Sequence, residues 1–152
     1  MELNSTLVGG TNPSPTPALE GNDVSTTQYS NTESAEVKAL RLLRDAGYSY
    51  LQQLDFVGKN PQGKYEAIEL KVRDLFTPGA NFPHFGTGLD RSQLFLRNQL
   101  LKDLGLRTML VTFVRGTDDV YIEYIDTLEG KGNYYDTAKI RIYPLESFRK
   151  KI

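Results

Sequence analysis

Residues 65–73 read YEAIELKVR, and the alternation in that run decides how the chain folds. Ile68, Leu70 and Val72 fall on one side of an extended strand, and Ala67, Glu69, Lys71 and Arg73 on the other, because successive side chains of a strand point to opposite faces. One face therefore belongs to a core and the other to solvent or to chemistry. Glu69 and Lys71, two residues apart, stand together on the polar side. Taken alone they also read as ordinary charges on a half-exposed strand.

Upstream, YSYLQQLDFV is strand-like too, and the turn-forming GKNPQG separates the two runs, so a hairpin is expected. With Val57 opposite Tyr65, Asp55 faces Ala67 and lies diagonal to Glu69 on the same side. Two converging carboxylates repel each other unless a cation lies between them, and oxygen donors of this kind suit Mg²⁺. Lys71 is then placed to hold a phosphate or to orient a water. Asp55 by itself reads equally as a turn-flanking carboxylate.

Working outward, Thr32 or Ser34 caps a helix over residues 34–46, where Ala35, Ala39, Leu40, Leu43 and Ala46 recur at helical spacing before Gly47. Glu36 shares the stripe of Leu40 and Leu43, as a metal ligand or as an acid at the favourable end of the helix dipole, with Glu33 as its competitor. Residues 74–88 read as a long loop whose Phe82, His84 and Phe85 either stack on bases or tuck onto the core. A second helix opens at Asp90, with Gln93 completing a capping box, and runs to Gly105. Gln93 and Arg97 share one face of it. TMLVTFV is apolar enough for a strand buried on both faces, and VYIEYI and KIRIYPL supply further strands. The order of elements describes an α/β sandwich, a mixed central sheet flanked by helices.

Residues 1–31 are Ser, Thr, Asn, Gly and Pro with scattered aliphatics, so they are read as a disordered tail ahead of one domain over residues 32–152. The absence of cysteine and the single histidine exclude thiolate sites and zinc sites built on several histidines, so any metal is held mainly by oxygen. All 18 Lys and Arg lie at or after Lys38, against 14 acids downstream of Glu36, a balance of +4. That charge permits a nucleic-acid partner without requiring one, and Arg73, Arg91 and Arg97 are the candidate phosphate contacts. No apolar run approaches membrane-spanning length, and no secretion signal opens the chain, so a cytoplasmic protein is expected, in the host cytoplasm if it is viral.

Glu36 on a helix, Asp55 beside a hairpin, Glu69-x-Lys71 on the next strand, and Gln93-x-x-x-Arg97 on a helix ahead of a buried strand resemble, in that order, the PD-(D/E)xK nuclease superfamily. The similarity spans residues 33–114, and EAIELKVR, FPHFGTGLDRSQ and LGLRTMLVTFV are similar to small phage-type members. The resemblance implies a restriction-endonuclease-like core that hydrolyses DNA with Mg²⁺ (or Mn²⁺), and it suggests a homodimer. It makes Asp55, Glu69 and the 68–70 backbone, Leu70 included, the metal shell. Lys71 becomes the phosphate and water residue, Glu36 a supporting acid, and Gln93 the glutamine of the equivalent helix. Leu54 departs from the family's proline, and Arg97 stands where a tyrosine often follows the glutamine, which leaves the role of Arg97 open. The competing reading is a non-catalytic nucleic-acid- or protein-binding module, phage structural or regulatory, on the same fold. The intact Asp55, Glu69 and Lys71 argue against it.

Overall fold

A computed structural model of the chain describes residues 34–152, and the expected tail over residues 1–31 lies outside them. The described residues fall into two compact units, one ending at Leu51 and one spanning Gln52–Ile152. The first holds helix α1, Ala35–Asp45, close to the expected bounds. Ser34 Oγ accepts from the Val37 amide at 3.2 Å, and Gly47 ends the helix at φ 95°, a conformation that favours glycine. No residue of α1 is buried.

The second unit runs β1 Phe56–Lys59, β2 Tyr65–Arg73, β3 Gly86–Asp90, α2 Arg91–Leu104, β4 Arg107–Val114, β5 Val120–Tyr124, α3 Ile125–Lys131, β6 Tyr135–Asp136 and β7 Ile140–Pro144, then a short 3₁₀ turn, Leu145–Ser147. Its strands form a four-stranded sheet in the order β1-β2-β4-β5 and a three-stranded sheet in the order β3-β7-β6. β2 and β4 are parallel and every other pairing is antiparallel. This is the mixed sheet with helices packed against it that the order of elements in the sequence describes. Among the described residues no helix is long and apolar enough to cross a membrane.

β4 contains the apolar run TMLVTFV, and its residues 108–112 are buried on both faces as expected, while Phe113 is exposed. On the inner face Leu110 packs with Leu94 of α2, Ile125 and Leu128 of α3, Leu89 of β3 and Tyr143 of β7. On the outer face Met109 and Val111 pack with Ile122, beside the half-buried Ile68 and Leu70 of β2. The period of two thus sorts β2 as its sequence implies, with Ile68 and Leu70 outward and Glu69 and Lys71 inward toward α2.

Three expectations need correcting. The segment 48–55 is not strand, and β1 is limited to Phe56–Lys59. Asn60 explains the late turn: its Oδ1 accepts from the Gln62 and Lys64 amides, closing residues 60–64 with Gly63 at φ 81°. The stretch 74–88 is not loop throughout, because Gly86, Thr87 and Gly88 enter β3 and are buried. Glycine hid this strand from the pattern, yet glycine is what its packing needs: a Cβ at Gly88 would lie 1.7 Å from the Arg141 carbonyl oxygen. The helix α3 after β5 was also unforeseen, since IDTLEGK carries two acids and a glycine in seven residues.

A charged network ties the smaller sheet to α3. Arg141 donates to Asp136 and Glu129, and the buried Tyr143 hydroxyl donates to Glu129. Burial, then the Glu129 carboxylate, push the Tyr143 phenol well above its usual range. A phenol raised in the folded state contributes stability that is complete below its unfolded value of about 10 and is lost as pH rises beyond it. Wild type is therefore expected to lose stability relative to Tyr143→Phe as urea midpoints are followed upward from about pH 9; parallel curves would refute this. Gly88→Ala is expected to cost about 3 kcal/mol or more by urea denaturation, because backbone has to move to admit the methyl.

Candidate active site

Glu69 sits mid-strand on the inner face of β2, 4% exposed, beneath α2. Gln93 and Arg97, which their spacing places on one face of α2, both reach it. Gln93 Nε2 donates to Glu69 Oε2 at 3.2 Å, and Gln93 Oε1 accepts from Lys71 Nζ at 2.8 Å. The amide can face only this way, since a carboxylate needs a donor and an ammonium an acceptor. Lys71 Nζ also lies 3.3 Å from Glu69 Oε2. The capping box expected between Asp90 and Gln93 does not form. Asp90 holds the N-cap position without a side-chain hydrogen bond, and Gln93 is taken by the two charged groups on β2.

Arg97 was expected to contact phosphate, and its placement corrects that reading: the residue is 4% exposed and turned inward. Nε and Nη2 donate to Glu69 Oε1 at 3.2 and 2.5 Å, Nη2 also reaches the Gln53 carbonyl at 3.2 Å, and Nη1 donates to Gln52 Oε1 at 2.6 Å. Gln52 Nε2 in turn donates to the Leu96 carbonyl on α2 at 2.8 Å. Gln52 and Gln53 were not singled out in the sequence, and nothing in a pair of glutamines marks them as partners of a distant arginine.

The hairpin register differs from expectation by two residues: Phe56 pairs with Ile68 and Val57 with Ala67. Continued by one residue, that register sets Asp55 opposite Glu69. A slip of two preserves which face a side chain occupies, so the approach of the two acids survives. Asp55 stands where the ladder stops, exposed, and its Oδ2 accepts from the Leu70 amide at 2.8 Å. The Leu70 carbonyl leaves the strand on the same side as that amide, past the end of β1.

Other expected residues lie further out. Arg91 is half-exposed, with Nε 4.0 Å from Asp136 and Nη1 3.4 Å from the Thr137 carbonyl. Arg73 lies over the Phe76 ring at 5.3 Å, and burial lowers its guanidinium against an opposing effect of Asp90. Phe82 stacks beside Tyr135 and meets His84 edge-on, while Phe85 is exposed. Glu36 belongs to the other unit, exposed in the first turn of α1 rather than on a buried stripe.

These donors decide how a hard cation fits. Among the described residues no three Asp, Glu, His or Cys side chains gather as a metal-binding group. What is present is two carboxylates and a backbone carbonyl. Asp55 Oδ1 and the Leu70 carbonyl are free oxygens of the kind Mg²⁺ takes alongside its waters, so they fit. Glu69 fits through Oε2, whose partners sit on flexible side chains, while Oε1 is held by Arg97.

No family model and no curated protein matches the chain. It is similar to a solved structure of Hjc, a Holliday junction resolvase from Archaeoglobus fulgidus, with a TM-score of 0.40 and 16% identity over 74% of this chain and 88% of that one.

Glu69→Ala strands the Arg97 guanidinium in a dry site and is expected to cost about 3 to 5 kcal/mol of unfolding free energy. Lys71→Ala, whose ammonium retains a path to water, is expected to cost less. Urea denaturation of both variants checks the order; equal losses would mean that Arg97 finds other partners.

Proposed function

We propose that this chain is a divalent-metal-dependent nuclease that hydrolyses a DNA phosphodiester. One observation carries the reading: an acid, an ammonium and an amide, Glu69, Lys71 and Gln93, are bonded to one another at the point of β2 where β1 has ended and Asp55 reaches the Leu70 amide. A ladder that stops there leaves backbone oxygen and a carboxylate open side by side, next to a positive charge. Asp55, the Leu70 carbonyl and Glu69 Oε2 are the groups that would hold Mg²⁺ or Mn²⁺. The cation supplies Lewis-acid polarisation of the phosphodiester and a water of lowered pKa.

The chain's own residues then have distinct tasks. Lys71 has three N–H donors, of which Gln93 and Glu69 take two, and the third serves a phosphate oxygen whose negative charge grows during attack. Gln93, accepting from the ammonium beside its ion pair with Glu69, fixes the ammonium's direction. Arg91 and Arg73, flanking the site in sequence at the ends of α2 and β2, supply phosphate contacts that position the strand. The cationic balance of +4 downstream of Glu36 favours approach of the polyanion. A pair of copies would cut both strands of a duplex, which makes a homodimer part of the reading.

The test is incubation with labelled linear, nicked, single-stranded and branched DNA in Mg²⁺, Mn²⁺ or EDTA, beside Glu69→Gln and Lys71→Met. Cleavage is expected only with metal, with losses on the order of 100-fold or more in both variants. Glu69→Gln is preferred to alanine because it preserves hydrogen bonding to Arg97. Wild type that binds DNA and cuts nothing with either metal would return the chain to a non-catalytic binding module.

A further inference from the structure

Residues 52–55 lead into β1 without joining any strand ladder, yet they deliver Asp55. Side-chain hydrogen bonds are what hold them in the Gln52–Ile152 unit. Arg97 makes two of these, to Gln52 Oε1 at 2.6 Å and to the Gln53 carbonyl at 3.2 Å. With its other donors the same guanidinium grips Glu69 Oε1. The side chain is 3% exposed and that of Glu69 5%, so neither group exchanges these bonds for water. A guanidinium is a rigid planar fork, so three acceptors gathered on one fork have fixed mutual positions.

We propose that Arg97 is a positioning residue for the cation site: it locks Glu69 in one rotamer and, through Gln52 and Gln53, sets the segment that carries Asp55, so that the two acids are aligned before any metal arrives. This rests on the metal-dependent nuclease reading. Arg97 touches neither substrate nor cation, and it acts through the groups it holds. Its position on α2 one turn after Gln93 lets a single helix face fix both the ammonium end and the carboxylate end of the site.

A counter-ion role makes the opposite prediction. If Arg97 only neutralised Glu69, its removal would free that carboxylate for the cation and binding would tighten. Arg97→Lys would then be silent, because the charge is kept. Positioning predicts that Arg97→Lys weakens binding, because a point-charge ammonium cannot bridge Glu69, Gln52 and Gln53 together.

The experiment measures Mn²⁺ binding by electron paramagnetic resonance of the free ion, on wild type, Arg97→Lys and Gln52→Ala, each first checked for cooperative unfolding. Gln52→Ala removes the side-chain tethers to Arg97 and to the Leu96 carbonyl and leaves the Arg97–Glu69 ion pair intact, so it reports even if the lysine variant fails to fold. Both variants are expected to bind Mn²⁺ about tenfold more weakly, as for other residues that orient metal ligands. Amide hydrogen exchange of Leu70, whose N–H the Asp55 carboxylate accepts, is expected to speed up in both without metal. Binding unchanged or tightened, or exchange unchanged, overturns the proposal. If wild type itself binds no Mn²⁺ and cuts no DNA, the nuclease reading fails, while the exchange rates still decide whether Arg97 fixes the segment.

Discussion

A carboxylate under a helix in the dry interior carries a desolvation penalty of several kcal/mol unless a cation shares the space, and at Glu69 that cation is Arg97. The pairing constrains more than two side chains. To bring Arg97 over Glu69, α2 has to present the face that also carries Gln93, one turn earlier, and this places Leu94 against Leu110 in the core. With the helix turned this way Leu96 offers its carbonyl to Gln52, which ties the chain ahead of β1 to the same helix. The orientation of α2, the rotamer of Glu69 and the path into β1 are therefore one linked arrangement.

The sheet supplies the complementary constraint. β2 is paired along its length with β4, Glu66 with Arg107 through to Arg73 with Val114, but on its other side with only four residues of β1. A parallel strand buried on both faces gives β2 a rigid support, and the short hairpin leaves its second half with open backbone groups. Asp55 satisfies one of these, the Leu70 amide, and so marks the spot where polar atoms are accessible without being orphaned. Placing the site at a ladder's end avoids breaking hydrogen bonds that the fold needs.

Much of this was legible from residue order. The alternation in YEAIELKVR sorted β2 correctly, the run TMLVTFV marked the central strand, and the four-residue spacing of Gln93 and Arg97 put both on one face of α2. What was not legible lay in long-range pairing. The hairpin register depends on how Asn60 closes its turn, a side-chain choice that strand patterns do not encode. β3 was hidden because Gly86 and Gly88, chosen for close approach to β7, carry the signature of a loop. Arg97 was assigned to phosphate because a guanidinium beside a candidate catalytic strand suits a phosphate oxygen, and only the fold reveals that Gln52, 45 positions away, accepts from it. Glu36 was placed on a stripe that α1 does not bury.

The two polar networks of the second unit separate stabilising from functional use of charge. Around Arg141, the acids Glu129 and Asp136 and the Tyr143 hydroxyl close on one another and hold α3, β6 and β7 together, with the Tyr134 ring over the guanidinium. Nothing in that set faces an open backbone group. Around Glu69 the bookkeeping is different: Arg97 and Gln93 are bonded to Glu69 and its neighbours, yet Lys71 keeps a donor and Asp55 an acceptor beside the Leu70 carbonyl. A buried ion pair is often no more stable than a well-packed apolar pair of the same volume, so stability alone is a weak reason for Arg97 and Glu69 to occupy this position. On the proposed reading they are the rigid half of the site, and the remaining Lys71 donor, the Asp55 acceptor and the Leu70 carbonyl are the groups that a cation and a phosphate would complete.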